Sequence, residues 1–321
     1  MKRTRLLLAL LMLATVLSAC AIPHKKSDFG VEKVAADHSE TKDIFTRYRK
    51  VRNLAIQLVD PKPLSTVESG PLLAIDSGSF VIAQKLAKKQ KTDTSKLDVF
   101  DVKSPIVKKY PLWFTAKVRD EARGVIKVQV FERATSLDPW LLVSSPEILL
   151  DTVLPSLSHG SHGTIVAVAP DDRTGRSMSP QSAADTYAEA LEDPKSSAIT
   201  KFENDGFIRQ MRSTAEANSL LANVTFAQKW VADNVEFTAR TDDGGMLVFA
   251  TLLRTDSYGV KNGVTVTFPE GSPQKAFLAR DISSSGKLRY YHQVLLYVPG
   301  PGGGKPRALG QYGGVVGADG F

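Results

Sequence analysis

Few side chains in this 321-residue chain suit covalent or acid–base chemistry: it has one cysteine and five histidines. His24 and His38 sit near the start of the chain, outside any apolar pattern. His159 and His162 stand three apart, a spacing that can hold a metal when both ride one helix. Their Ser- and Gly-rich surroundings are not helical in pattern, so no metal or cofactor site is predicted. His292, between Tyr290, Tyr291 and Gln293 in a strand-like run, either lines a cavity or stands partly exposed on a sheet. Asp101, Asp120, Asp256 and Asp281 lie in or at the ends of predicted strands; nothing separates one from the others, and each reads as a turn residue. A Gly-x-Ser-x-Gly elbow, a phosphate loop and a dinucleotide glycine fingerprint are all missing. The glycines from Gly300 to Gly304 precede Lys305 and Pro306 and read as a hairpin turn.

The cysteine, Cys20, closes a different pattern. Lys2, Arg3 and Arg5 precede an apolar run from Leu6 to Leu17, and small residues follow. That arrangement is a secretory signal. A run of about 12 apolar residues is too short to remain as a spanning helix, which needs roughly 20. The sequence Leu17, Ser18, Ala19, Cys20 resembles the lipobox of bacterial lipoproteins. The resemblance implies cleavage after Ala19 and a diacylglycerol on the Cys20 sulfur, which leaves no thiol for catalysis. Two acyl chains give stable anchoring where one gives marginal binding. With one cysteine, no intramolecular disulfide can form, so core burial must hold the body together.

Charge and composition narrow the partners. The net charge of +7 becomes +4 once Lys2, Arg3 and Arg5 leave with the signal. A nucleic-acid binder would show a dense basic stripe interleaved with aromatics, so no nucleic-acid partner is predicted. The expected partners are the lipid bilayer, through acylated Cys20, and an envelope protein or wall polymer. With charged residues at 23% and hydrophobics at 42%, the body reads as soluble and globular.

The elements follow in order. Residues 20–40 read as a flexible tether. Ile44, Tyr48, Val51, Ala55 and Leu58 share one helical face from Asp43 to Val59, with Thr41 as N-cap and Asp60 before Pro61 as stop. Arg47, Arg49, Lys50 and Arg52 form the opposite, solvated side. Gly70 to Ala83 reads as two short strands around Asp76, Ser77 and Gly78. Further strands run near Val99 to Ile106, Leu112 to Arg119, Val125 to Phe131 and Trp140 to Val143. Ser179 caps a helix with Pro180 at its first position, and a second helix covers about Phe207 to Leu221. Strands resume from Val224.

Leu112 to Arg119 can be laid on Leu247 to Arg254 without a gap, and strand, turn and strand follow in both places. One α+β fold occurring twice is therefore expected: residues 1–19 a signal, 20–40 a tether, 41–154 the N-terminal domain, 155–179 a linker and 180–321 the C-terminal domain. A helix or helices packed on a curved antiparallel sheet resembles the NTF2-like or cystatin-like cone. With the lipobox, the whole resembles two-domain lipoproteins of actinobacterial envelopes.

The aromatics are the remaining carriers of recognition. Trp113, Trp140 and Trp230 lie in predicted strands, where tryptophan commonly packs in the core. If Trp113 faces away from Leu112 and Phe114, it lines the other side of its sheet with Thr115 and Arg119. Trp113, Arg119, Tyr291 and His292 are therefore the candidate ligand or partner surface. The expected function is that of a membrane-anchored, extracytoplasmic, non-enzymatic binding or assembly module of the cell envelope. The alternative is a small-molecule enzyme with an acid/base residue in a conical pocket. That reading predicts an apolar cavity holding a buried Asp or His of shifted pKa.

Overall fold

Asp37 starts the first helix by accepting a hydrogen bond from the Glu40 amide at 2.8 Å, and α1 runs over His38–Leu58. It ends where Val59 turns left-handed at φ 51°. The expected cap, Thr41, lies inside the helix and is buried. These coordinates come from a computed structural model that describes residues 33–87, 98–107, 109–160, 163–261, 263–278 and 280–320. The residue 1–19 signal, Cys20, His24 and His162 lie outside the described residues.

The second element corrects the sequence reading. Gly70–Lys85 is a single helix, α2, and not two strands around a turn. Its apolar residues show no clear helical face because it is enclosed on more than one side: none of residues 71–83 is exposed. Gly78, read as a turn, lets the helix approach a strand of the other half. A Cβ there would stand 2.3 Å from the Val315 carbonyl oxygen.

Two five-stranded antiparallel sheets follow, in tandem α+β halves. The first comprises β1 (Asp98–Lys103), β2 (Leu112–Asp120), β3 (Val125–Arg133), β4 (Leu141–Ser144) and β5 (Glu147–Leu149). Its order is β1-β2-β3-β4, with β5 also paired to β3. Two longer helices, α3 (Pro180–Glu192) and α4 (Gly206–Ser219), precede the second sheet, with a single helical turn at Ala198–Lys201 between them. Ser179 caps α3 and Pro180 occupies its first turn, as the sequence indicates. The second sheet comprises β6 (Val224–Ala232), β7 (Phe237–Arg240), β8 (Met246–Val260), β9 (Ser285–Val298) and β10 (Arg307–Gly320), with a short helix α5 (Pro273–Phe277) between β8 and β9. The order is β10-β9-β8-β6, and β7 also pairs with β8.

The paths β1-β2-β3-β4 and β6-β8-β9-β10 correspond, but the gap-free overlay is out of register. Phe114, Ala116 and Val118 face the α1 side of the first sheet. On β8, the residues that pack with α3 and α4 are Val248, Ala250 and Leu252, whereas Leu247 and Phe249 point the other way. A one-residue slip exchanges the two faces of a strand. The overlay therefore pairs the helix-covered face of one sheet with the uncovered face of the other.

Those second faces meet each other. Trp113, Val128, Val130 and Ile148 of the first sheet share a core with Phe237, Leu247, Phe249 and Leu295 of the second. From Val34 onward the chain is one compact unit. The connecting segment takes part in the packing: Leu157 bridges to Thr241, Ile165 to Pro105, and Ala167 to Ala239. Among the described residues, no helix is long and apolar enough to cross a membrane.

Candidate functional site

The register of the second sheet assembles a polar row on its helix-covered face. Arg254 of β8 pairs across the ladders with Trp230 of β6 and Tyr290 of β9. Asp256, two residues along the same strand, pairs with Gln228, and His292 of β9 pairs with Leu252 on one side and Gly313 on the other. Side chains two apart on a strand share a face, so arginine, aspartate, tryptophan, tyrosine and histidine converge from three strands.

The row is buried and mostly satisfied. Arg254 clasps Asp256 through two nitrogens, with Nε donating to Oδ1 at 2.8 Å. Gln228 donates to the same carboxylate at 3.0 Å and accepts from Trp230 Nε1 at 2.7 Å. The guanidinium lies 4.3 Å from the Tyr290 ring centroid, a cation–π distance. Its remaining terminal nitrogen, Nη1, reaches Met211 Sδ at 3.3 Å.

His292 is the exception. Its ring lies 5.3 Å from Phe207 and 5.2 Å from Trp230, centroid to centroid, and only 7% of the residue is exposed. Nδ1 faces Gln311 Oε1 at 3.3 Å, while Nε2 is buried without a hydrogen-bond partner. The Gln311 pairing places the ring proton on Nδ1 and leaves the Nε2 lone pair open. Burial, and next the nearby Arg254 charge, push its pKa down to about 4, so the imidazole is neutral at physiological pH. Gly313 makes room for the ring, since a Cβ there would stand 2.4 Å from Nδ1.

A pocket of about 330 Å³ opens against this row. Phe207 and Met211 of α4, Tyr290, His292 and Arg254 wall it on one side, and Ile75 of α2 reaches in from the N-terminal half. The volume falls within the range of small-molecule sites. A larger groove of about 460 Å³ runs beside α1, lined by Glu40, Arg47, Arg133 and Trp140. Its polar groups are engaged among themselves: Arg47 donates to the Thr66 carbonyl at 2.7 Å, Arg133 to that of Asp138 at 2.9 Å, and Trp140 to Glu40 at 2.8 Å. The smaller pocket is the better candidate because the buried Arg254 and His292 line it.

The four residues expected to form one surface are dispersed. Trp113 does face away from Phe114, but what covers it is the second half of the same chain: Phe237 packs edge-on at 5.6 Å, and Trp113 is 5% exposed. Thr115 is buried too. Arg119 is at the exposed end of β2, paired with Asp98 at 3.3 Å. Tyr291 lies half-buried on the opposite face of β9 from His292. Only His292 belongs to the pocket. Of the four aspartates, Asp256 is buried in the Arg254 clasp, while Asp101 and Asp281 pair with lysines and Asp120 with Lys127 near the surface. Among the described residues, no group of three metal-ligating side chains could hold an ion.

A second buried cluster has no counterpart in the sequence reading. Arg52, placed on the solvated side of α1, turns inward to Asp76 of α2 and lies 3.5 Å from Glu68. Tyr48 donates to Glu68 at 2.9 Å, and Tyr312 of β10 donates to Asp76. Burial, and next the Asp76 charge, push Glu68 well above the usual carboxylate range. Burial also opposes the charge of Asp76, but the Arg52 guanidinium and the Tyr312 hydroxyl outweigh it and hold Asp76 low. Glu68 thus keeps its proton, and its otherwise unpartnered Oε2 is the oxygen free to carry it. The only sequence sign was Tyr48 and Arg52 four apart on one helix.

A protein-family model described as "Domain of unknown function (DUF8094)" matches residues 34–320. No curated protein and no solved structure matches the chain.

Proposed function

The chain belongs to the DUF8094 family, and from that premise we propose that it is a membrane-anchored, extracytoplasmic lipoprotein whose second half binds a small molecule without transforming it. The observation that carries the binding reading is a preformed pocket of about 330 Å³ lined by the buried, charged and aromatic side chains Arg254, Tyr290 and His292.

Binding is favoured over catalysis by the same geometry. A general base works best with a pKa near the operating pH, and that of His292 lies at about 4. The neighbouring carboxylate, Asp256, is held by Arg254 and Gln228 and is not among the residues that line the pocket. The anchor rests on the charged, apolar and small-residue order that ends at Cys20. The cone-like fold is supported by helices covering one face of each sheet and by irregularities in the β9–β10 register, which bend strands.

Two measurements test this. Labelling with a radioactive fatty acid is expected to mark the wild type and not Cys20→Ser; equal labelling removes the anchor. Native mass spectrometry of the full chain, equilibrated with a small-molecule extract of the cell envelope, is expected to show a bound mass that His292→Phe loses. No bound mass, or one indifferent to that substitution, overturns the pocket.

A further inference from the structure

We infer that the exposed C-terminal end of α1 is a docking surface for an anionic phospholipid bilayer. The nearness of that bilayer rests on the anchored reading above; the surface itself does not. Leu54, Leu58 and Val59 are 45%, 59% and 40% exposed. Leu54 and Leu58 stand four apart on α1 and so share one helix face, with the exposed Lys50 one turn before them. Val59 follows where the helix ends, and Gln84 Nε2, in the last turn of α2, donates to its carbonyl at 2.6 Å. That bond brings the exposed Lys85 to the same end of the helix pair, and the exposed Lys62 begins the short turn after Val59. Three aliphatic side chains are thus left in water together, within a set of lysines.

Charge selects the occupant. From Thr46 to Thr66 no exposed residue is acidic, while Arg47, Lys50 and Lys62 are exposed cations. Asp60, the one carboxylate of that stretch, is partly buried and accepts the Lys62 amide at 3.0 Å. Among the described residues, no carboxylate pairs with Lys50, Lys62 or Lys85. Aliphatic side chains rimmed by unpaired cations suit an interface whose acyl chains receive the former and whose phosphates receive the latter. Another exposed apolar run, Leu149, Leu150 and Val153, shows the contrast: it encloses the exposed Asp151, which an anionic surface repels. The patch is also within reach of the anchor. The chain between Cys20 and His38 spans no more than about 60 Å when fully extended, and α1 is about 30 Å long, so acyl chains and patch can engage one bilayer.

The test places an environment-sensitive nitrobenzoxadiazole dye on the full chain, through Leu58→Cys at the patch and Val153→Cys as the control. Both proteins are made with Cys20 native and with Cys20→Ser, and each is titrated with vesicles of phosphatidylcholine alone or of equal phosphatidylcholine and phosphatidylglycerol. The dye at position 58 is expected to brighten and shift to the blue on the phosphatidylglycerol vesicles only, and the dye at 153 to stay as in buffer. Lys50→Glu together with Lys62→Glu is expected to lose the response at 58. The native-Cys20 protein is expected to need less lipid than Cys20→Ser. If both need the same amount, the anchored reading fails and the docking surface stands. If position 58 is silent in both, answers equally to both lipids or behaves like 153, the docking surface falls, whatever fatty-acid labelling shows for Cys20.

Discussion

Tyr312, midway along β10, donates its hydroxyl to the carboxylate of Asp76 on α2, 236 residues earlier in the chain. This contact ties the helix layer of the first half to the edge strand of the second sheet. Both groups are buried, so its loss leaves a desolvated carboxylate short of a donor. Tyr312→Phe keeps the ring and removes only the hydroxyl. It is expected to lower stability by about 1–3 kcal/mol, measured by urea unfolding. A change below a few tenths would show that Arg52 satisfies Asp76 alone.

Glu68 predicts a pH dependence with a definite sign. Its folded pKa lies well above 4.5 because of burial and then of Asp76. The native state therefore binds a proton that the unfolded chain has already released. Stability from this group is fully present below about pH 4.5 and declines as pH rises toward the folded value, at no more than about 1.4 kcal/mol per pH unit. The groups facing it are Tyr48 and Arg52 of α1, Asp76 of α2 and, through Asp76, Tyr312 of β10. Glu68→Gln, neutral at every pH, is expected to flatten that decline between pH 5 and 8 in denaturant titrations. An unchanged slope would place that proton on another group.

Trp113 and Arg119 are expected to respond in opposite ways because one is shared core and the other is surface. Trp113→Ala opens a cavity between the sheets and should cost about 3–5 kcal/mol. Both halves contribute to that core, so they should lose stability in one transition. Arg119→Ala removes an exposed ion pair with Asp98 and should change stability by less than about 1 kcal/mol. Calorimetry showing two separate transitions in Trp113→Ala would contradict the shared core.

Gly78 sets helix propensity against packing. Alanine in place of an interior helical glycine ordinarily stabilises by about 0.5–1 kcal/mol. Here the new Cβ would stand 2.3 Å from the Val315 carbonyl, a backbone atom that cannot rotate aside. Overpacking of this kind costs typically about 1–3 kcal/mol, so Gly78→Ala is expected to destabilise. A stabilised variant would mean that α2 and β10 are less closely packed than the coordinates show.

The glycines of β10 show why part of the fold was illegible. Gly310 and Gly313 carry no strand propensity, and the sequence supports a strand only over Arg307 to Tyr312, whereas β10 runs over Arg307–Gly320. Their reason lies in what crosses them: Glu147 backbone stands 2.2 Å from a Cβ at Gly310, and the His292 ring 2.4 Å from one at Gly313. Close approach is a property of the partner and leaves no period in the strand itself.

Local rules were readable wherever one face met water and the other met a core. That is how α1 and the Ser179–Pro180 start of α3 follow from spacing and capping alone. Helix α2, enclosed on both sides, lost its helical signature for the same reason. His292 could be marked as a cavity candidate from its aromatic neighbours, but its selection over Trp113, Arg119 and Tyr291 was decided in three dimensions. Strand alternation says that two faces exist and is silent on what covers each. Only the folding of one sheet against the other put Trp113 out of reach, and only the ladder register brought Arg254, Asp256 and Gly313 around the imidazole.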